Sequence, residues 1–299
     1  MKKLKLSKII ASLTVLALIA ALFTGCGSSK NESSASADSG TEASATGTGF
    51  RTLDEIKQSG TIKIGVFSDK NPFGYVDENG DYQGYDIYFA ERLAKDLGVK
   101  VEYVSTEAAS RIEYLQTGKV DVVLANFTVT DERKEEVDFA LPYMNVALGV
   151  VSPDSRVIKS LDDLGENDQV IVISGTTAET YLTENYPKVK LQKYDTYAAA
   201  KTALENGNGV AWANDNTEVI AYSLQNKGYT VGIPTLGSND TIAPAVTKGN
   251  STLLKWINEE IEKLGEEKFF HADYDATLKD TYGTEYEEQF VVEGGKVSE

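Results

Sequence analysis

The sequence predicts an α/β protein of two lobes. Apolar, β-branched runs alternate with amphipathic stretches at helical spacing, and repeated βα units imply parallel sheets covered by helices. The alternation breaks at Pro142 and restarts at Ala147, which groups the units into two sets. From Phe50 onward 250 residues remain, enough for one large domain or two ordinary ones. No sequence repeat at a fixed period accompanies the alternation.

Taken in order, Thr61–Phe67 reads as a buried strand, being β-branched, apolar and ended by polar residues. Tyr75–Gly84 carries Asn79-Gly80, a hairpin-turn signal. Asp86 is placed to cap the next helix. That helix sets Ala90, Leu93, Ala94 and Leu97 on one face, and Gly98 stops it. Val99–Val104 is a strand, Ala108–Gln116 a helix, Val120–Ala125 a strand and Asp131–Val137 a short charged helix. After Pro142, strands are expected at Ala147–Ser152, Val170–Ile173, Val189–Gln192, Val210–Ala213, Thr230–Ile233 and Ile242–Thr247. Helices at Thr177–Asn185, Tyr197–Asn206 and Glu218–Lys227 separate several of them. Helical segments at Ser251–Leu264 and Tyr274–Tyr282 close the chain.

The first residues are set apart from this body. Lys2, Lys3, Lys5 and Lys8 precede an apolar run, Ile9–Phe23, interrupted only by Ser12 and Thr14. The run is shorter than the roughly 20 residues a membrane-spanning helix needs, and the pattern is that of a secretory signal peptide, residues 1–25. It ends in Leu22-Phe23-Thr24-Gly25-Cys26, which resembles a lipobox, with Phe23 where Leu is usual. Cys26 is the only cysteine, so no disulfide can form within the chain, and lipidation is the expected use of its sulfur. Residues 26–49 form the tether that follows: 18 of the 23 residues after Cys26 are Ser, Gly, Ala or Thr, and none is Val, Ile, Leu or Phe. Such a stretch behaves as a flexible coil and would hold the body near a membrane without inserting it. The net charge is −17, and becomes −21 without the four signal-peptide lysines. That acidity excludes nucleic acid as a partner, since phosphates demand basic patches.

In open α/β sheets ligands bind beyond the carboxyl ends of strands, so the residues that follow each strand are the candidates. After Val120–Ala125 come Asn126, Thr128, the potential N-cap Thr130, and Arg133 on the first helical turn. A guanidinium offers a carboxylate two parallel bonds; the alternative is a surface arginine paired with Glu132 or Glu136. After Val170–Ile173, Gly175, Thr176 and Thr177 open a helix whose free N–H groups suit an anion, unless the helix is merely capped. After Val210–Ala213 comes Asp215, which can receive a primary ammonium or cap the following helix. Two anion sites and one cation site match the α-carboxylate and α-ammonium of an amino acid. The single histidine, His271, lies in FFHADY near the C-terminus. No Ser/His/Asp set or clustered His/Cys metal ligands stand in the sequence, so no catalytic residue, metal or cofactor is expected.

The segments IKIGVFSDKNPFGYVDENGDYQGYDIYFAERLAKDLG, VDVVLANFTVTDERKEEVDFALPYM, ALGVV, ISGTTAETY, WANDNTEVIAY and IAPAVTKGN resemble the polar amino acid substrate-binding proteins of bacterial ABC importers, solute-binding family 3. The resemblance runs from Arg51 to Gly295. It implies a periplasmic-binding-protein-like (type II) fold, with lobe one at 50–146 plus 248–299, lobe two at 147–247 and the ligand in the cleft between them. It also implies a carboxylate-binding Arg133 with Thr128 and Asn126 beside it, a helix start at Gly175, Thr176 and Thr177, and an ammonium-binding Asp215. Phe67 and Lys70 stand where several members place a side-chain-reading acid and an aromatic, a departure that counts against a cationic ligand. The wording GVFSDKNPFGYVDENG, EAASRIEYL and ANFTVTDER is similar to the cysteine-binding branch; glutamine, glutamate or aspartate, and cystine are the alternatives. Arg111, in EAASRIEYL, either faces the cleft or is a solvent-exposed helical arginine. The implied partners are a small amino acid, an ABC permease with its ATPase, and the membrane through the lipid anchor, the protein itself being a monomer. An enzyme such as a dehydratase, or a sensory protein, on the same scaffold is the rival reading, because fold does not dictate function.

Overall fold

The computed structural model describes residues 49–297. The signal peptide, Cys26 and the tether up to residue 48 lie outside the described residues. Helix α1 (Leu53–Ser59) opens the body, with Thr52 and Glu55 forming a reciprocal capping box. Then follow β1 (Thr61–Val66), the short strands β2 (Asp69–Lys70), β3 (Gly74–Val76) and β4 (Tyr82–Gln83), and α2 (Tyr85–Leu97). Asp77 Oδ1 accepts from the Asn79 and Asp81 N–H groups and folds the hairpin turn between β3 and β4. Asp86 does not cap α2: the cap position is Gly84, with no side-chain bond. Gly84 has φ +116, and an added Cβ would lie 2.4 Å from the Phe73 carbonyl oxygen, so only glycine passes there.

Next come β5 (Lys100–Ser105), α3 (Arg111–Gln116), β6 (Val122–Val123), α4 (Asp131–Glu136) and β7 (Val137–Phe139). The β6 ladder is shorter than the apolar run predicts. Leu124 still donates to Gly65, but Asn126 turns left-handed at φ 44, and the Arg111 guanidinium takes the Ala125 and Asn126 carbonyls. The chain then crosses through β8 (Met144–Pro153) into β9 (Gln169–Ile173), α5 (Thr177–Asn185), β10 (Lys190–Tyr194), α6 (Tyr197–Glu205), β11 (Ala211–Asp215) and α7 (Asn216–Gln225). It returns through β12 (Tyr229–Ile242) to β13 (Ala245–Thr247) and ends in α8 (Ser251–Glu266), α9 (Phe269–Thr277), α10 (Lys279–Tyr282) and α11 (Glu287–Phe290). Tyr274–Tyr282, expected as one helix, is divided at Leu278 between α9 and α10.

Two five-stranded sheets carry the two lobes. Lobe one has the order β5-β1-β6-β13-β7, and lobe two β10-β9-β11-β8-β12. In lobe one, β5, β1 and β6 are parallel, and β13 runs antiparallel between β6 and β7. In lobe two, β10, β9 and β11 are parallel, with β8 and β12 antiparallel beside them. β12 is far longer than Thr230–Ile233 because it pairs with β8 from Tyr229 to Ile242, with register shifts after Val231, Ile233 and Leu236. Those irregularities accommodate Pro234 and Gly237, residues that would break a regular ladder.

The largest apolar cluster fills lobe one: Ile62 and Ile64 of β1 meet Phe89 and Leu93 of α2, Leu253 and Ile257 of α8, and Phe270 of α9. A second cluster crosses between the lobes, joining Phe67, Val123 and Phe127 with Ile171, Tyr197 and Trp212. The Phe67 and Tyr197 rings meet edge to face at 5.1 Å. Leu93 is fully buried, so Leu93→Ala is expected to lower unfolding stability by about 2–5 kcal/mol. Urea denaturation of the two proteins measures this.

Candidate functional site

Segments that follow strands of both five-stranded sheets, together with β2 of the small sheet β2-β3-β4, deliver the charged residues to one place. Lys70, on β2, is fully buried. Its Nζ donates to Asn126 Oδ1 at 2.6 Å and to Asp215 Oδ2 at 2.9 Å. The ammonium also stands 4.8 Å from the Tyr197 ring centroid, 5.4 Å from that of Phe73 and 5.6 Å from that of Phe67, within cation–π range. Burial works against its charge, but Asp215, Tyr197 and Glu218 outweigh burial and hold the lysine above its ordinary range. Lys70 is therefore a fixed cation on the lobe-one side, bonded to a carboxylate of lobe two.

Arg111 starts α3 and is buried, not exposed. Its Nε donates to Ala108 O at 3.0 Å, Nη1 to Ala125 O at 3.0 Å and Asn126 O at 3.3 Å, and Nη2 to Gly175 O at 3.2 Å. The guanidinium lies 4.3 Å from the Phe127 ring centroid. Arg133, on α4, stands 4.8 Å from the same ring. It donates to Thr128 O at 2.7 Å and Gly175 O at 3.0 Å, in place of the pairing with Glu132 or Glu136. Thr130 caps α4 and accepts from the Arg133 N–H. Burial, then the Arg111 charge, pulls the Arg133 pKa down to about 9, which leaves it protonated at neutral pH.

The carbonyl both arginines reach belongs to lobe two. Gly175 has φ +77, and an added Cβ would lie 2.5 Å from the Cα of Ala109, so the lobes touch backbone to backbone here. Thr176 caps α5: its hydroxyl accepts from Glu179 N at 3.4 Å and donates to Ile173 O at 2.7 Å. Thr177 lies at the first position of α5 and, with Arg133, Thr130, Tyr181 and Asp240, lines a cavity of about 350 Å³. Thr128 is buried and bridges Ile242. Asp215 stands at the head of α7 but its side chain makes no cap bond; it serves Lys70 instead. The tip of the first hairpin fastens to three elements of lobe two: Asp69 Oδ2 accepts from Ala198 N at 3.0 Å, Lys70 meets Asp215, and Asn71 Oδ1 accepts from Gln225 at 3.2 Å.

The structure thus gathers Phe67, Lys70, Arg111, Asn126, Thr128, Arg133, Gly175, Thr176 and Asp215, and sets Thr177 at the rim. His271 is elsewhere, bonded to Glu293. Among the described residues no group of three or more His, Cys, Asp or Glu side chains could hold a metal. Residues of this region that are not among the sequence candidates include Tyr197, Phe127, Phe73 and Asp86. Tyr197 opens α6 one element after β10, so the strand-end rule applied to β10 finds it. Asp86 is fully buried; its oxygens accept from the Tyr143 hydroxyl at 2.5 Å and the Asn126 N–H at 2.9 Å. Burial pushes its carboxyl up to about 7, against the Tyr143 bond and the charge of Lys70.

Three cations and one carboxylate, buried and held by carbonyls and rings, offer charges of both signs that suit a small zwitterion. Two α/β lobes with such a cluster between them define the class of two-lobe binding proteins. The chain belongs to the bacterial extracellular solute-binding proteins, family 3, whose model matches residues 62–276. It is 31% identical to the ABC transporter glutamine-binding protein of Bacillus subtilis, over 91% of this chain and 98% of that one. It is 48% identical to the cysteine-binding protein of Campylobacter jejuni, at a TM-score of 0.79, covering 81% of this chain and 98% of the other. The solute receptor for L-cysteine of Neisseria gonorrhoeae is also 48% identical, at a TM-score of 0.80, covering 81% and 100%. The family is extracytoplasmic by description, and among the described residues no helix is long and apolar enough to cross a membrane.

The raised Asp86 carboxyl makes stability depend on pH. An unfolded aspartate titrates near about 4, so between about 4 and about 7 the folded state holds the extra proton and stability falls as pH rises. Asp273, also raised by burial, adds a slope of the same sign. Asp86→Asn is expected to flatten the curve in that window while leaving the Asp273 slope. Urea unfolding from pH 4.5 to 8 compares the two; parallel curves would remove Asp86 as a cause.

Proposed function

We propose that the protein captures L-cysteine outside the cytoplasm and delivers it to an ABC permease and its ATPase. The observation that carries this is the buried cluster of Lys70, Arg111 and Arg133 with Asp215, at the strand ends of both lobes, in a chain 48% identical to two cysteine receptors. Arg133 and Arg111 hold the α-carboxylate from lobe one, Thr128 and Asn126 flank it, and the start of α5 at Gly175, Thr176 and Thr177 completes it from lobe two. Asp215 takes the α-ammonium, sharing its charge with Lys70. A cationic side chain would meet the Lys70 ammonium, which argues against arginine, lysine or histidine. Phe67 and Tyr197 leave an apolar wall for a small thiol. Glutamine, glutamate or aspartate, and cystine remain the alternatives, each distinguishable by titration.

Closure is the mechanism. Contacts to both lobes give the ligand a higher affinity for the closed state, the differential that any ligand-driven shift requires. The lobes are proposed to divide at 50–146 plus 248–299 and 147–247, with β8 and β12 as the crossings. Lipidation of Cys26 and the tether to residue 49 are proposed to keep the receptor beside its permease.

Calorimetric titration of the chain from Gly27 onward, refolded to strip bound ligand, tests the reading against all common amino acids and cystine, with and without reductant. Cysteine is expected to give one saturable response. Removing one member of a buried charged pair typically costs about 2–5 kcal/mol, so Arg133→Ala and Asp215→Ala should each weaken it about a hundredfold or more. Near-unchanged affinity in both variants would sink the site. A response to another amino acid alone would keep the site and discard cysteine. In cells, the wild-type protein is expected to fractionate with membranes and Cys26→Ala to be released; a wild type found free of membranes would refute the anchor.

A further inference from the structure

Asp86 is a fully buried ionisable group that bonds the proposed ligand contact Asn126 and is not itself one of those contacts. It is the second residue of α2, and its carboxylate oxygens serve two distant segments: Asn126, 40 residues on, and Tyr143, 57 residues on. Asn126 is one of two non-glycine residues with positive φ among the described residues, the other being Lys268. An asparagine in the left-handed region is tolerated but must be held there by its surroundings. Holding it matters, because the Asn126 carbonyl accepts from Arg111 and its Oδ1 accepts from Lys70. Two of the three cations of the site therefore lean on this one residue.

Tyr143, the other partner, stands immediately before the crossing strand β8. Its N–H donates to Ile242 O in the second crossing strand, and its carbonyl accepts from the Val292 N–H. A single carboxylate thus ties the turn that presents the site to the place where the chain leaves lobe one. We propose that Asp86 is a positioning residue of the binding site: it fixes the left-handed turn at Asn126 against the base of the lobe crossing and so sets where Arg111 and Lys70 stand.

Charged and titratable groups face it from every side: Lys70 on β2, Arg111 on α3, Tyr85 on its own helix, Tyr143 before β8 and Asp273 on α9. A neutral asparagine would fill the same space without a buried charge, which is costly to keep. A requirement for packing alone would be met more cheaply by the amide. The carboxylate earns its place by accepting two charge-assisted bonds at once, each roughly twice as strong as a neutral one.

The inference rests on the reading of this cluster as an amino acid site, and the test separates the two. Amide hydrogen exchange is measured by NMR on ligand-free wild type, Asp86→Asn and Asp86→Ala, with the Leu124 amide, bonded to Gly65 O, as internal reference. Asn126 exchange is expected to quicken in the order wild type, Asn, Ala, with Leu124 unchanged in Asp86→Asn. The same proteins are titrated with cysteine, glutamine, glutamate and cystine, and their unfolding is followed at pH 8. Asp86→Asn should lose roughly tenfold in affinity, the worth of one hydrogen bond to a charged group, while its stability stays equal or rises. Unchanged Asn126 exchange overturns the proposal. So does affinity within twofold of wild type, or an affinity loss that merely follows a loss of stability. If wild type binds none of the four, the amino acid reading fails, and the exchange measurement alone still decides the role of Asp86.

Discussion

An ammonium taken out of water loses several kcal/mol of hydration in a medium of low dielectric, and a partner must restore it. For Lys70 the restoration comes from two directions. Asn126 and the Phe67 and Phe73 rings belong to lobe one, while Asp215 and the Tyr197 ring belong to lobe two. Neither lobe satisfies the charge unaided. Separating the lobes would therefore return the lysine to water or leave Asp215 without its cation, so the charge and the relative placement of the lobes are one problem. The same dependence extends to Arg111 and Arg133, each of which fills part of its donor set with a carbonyl across the interface.

Local backbone geometry makes these contacts possible. The left-handed turn at Asn126 ends the β6 ladder and exposes two carbonyls just where Arg111 reaches. The missing Cβ at Gly175 lets its backbone come up against Ala109. Phe127 then gives both guanidinium planes one aromatic face to lie on. Delocalised, weakly hydrated guanidinium groups tolerate such a setting where a second or third ammonium would not.

Much of the frame was legible in the sequence because it is written in local pattern. The alternation around Thr61–Val66 and Gln169–Ile173, the helix running to Gly98 and the restart after Pro142 all follow from periodicity and stop signals. The strand-end rule also led to Asn126, Arg133 and Asp215 without any knowledge of contacts. What escaped depends on partners far along the chain. Lys70 and Asp215 are 145 residues apart, and no spacing announces their meeting. Asp86 looked like a helix cap because its position and residue type suit one, yet its oxygens are claimed by Asn126 and Tyr143. β12 hid behind Pro234, Gly237 and a polar tail, since its strand character comes from β8 beside it and not from its own composition.

The contrast between the inner cluster and the acidic chain around it has a kinetic side. With a net charge of −17, or −21 without the four signal-peptide lysines, the protein presents a repulsive long-range field to anions and none to a neutral zwitterion, and such fields act on encounter rates over a Debye length of about 8 Å at physiological salt. Glutamate or aspartate would arrive more slowly than cysteine or glutamine even where the pocket's cations favour a carboxylate once inside. Added salt would narrow that gap. On the proposed reading, discrimination between neutral and acidic amino acids would thus be divided, with the exterior sorting by speed of arrival and the interior by strength of retention.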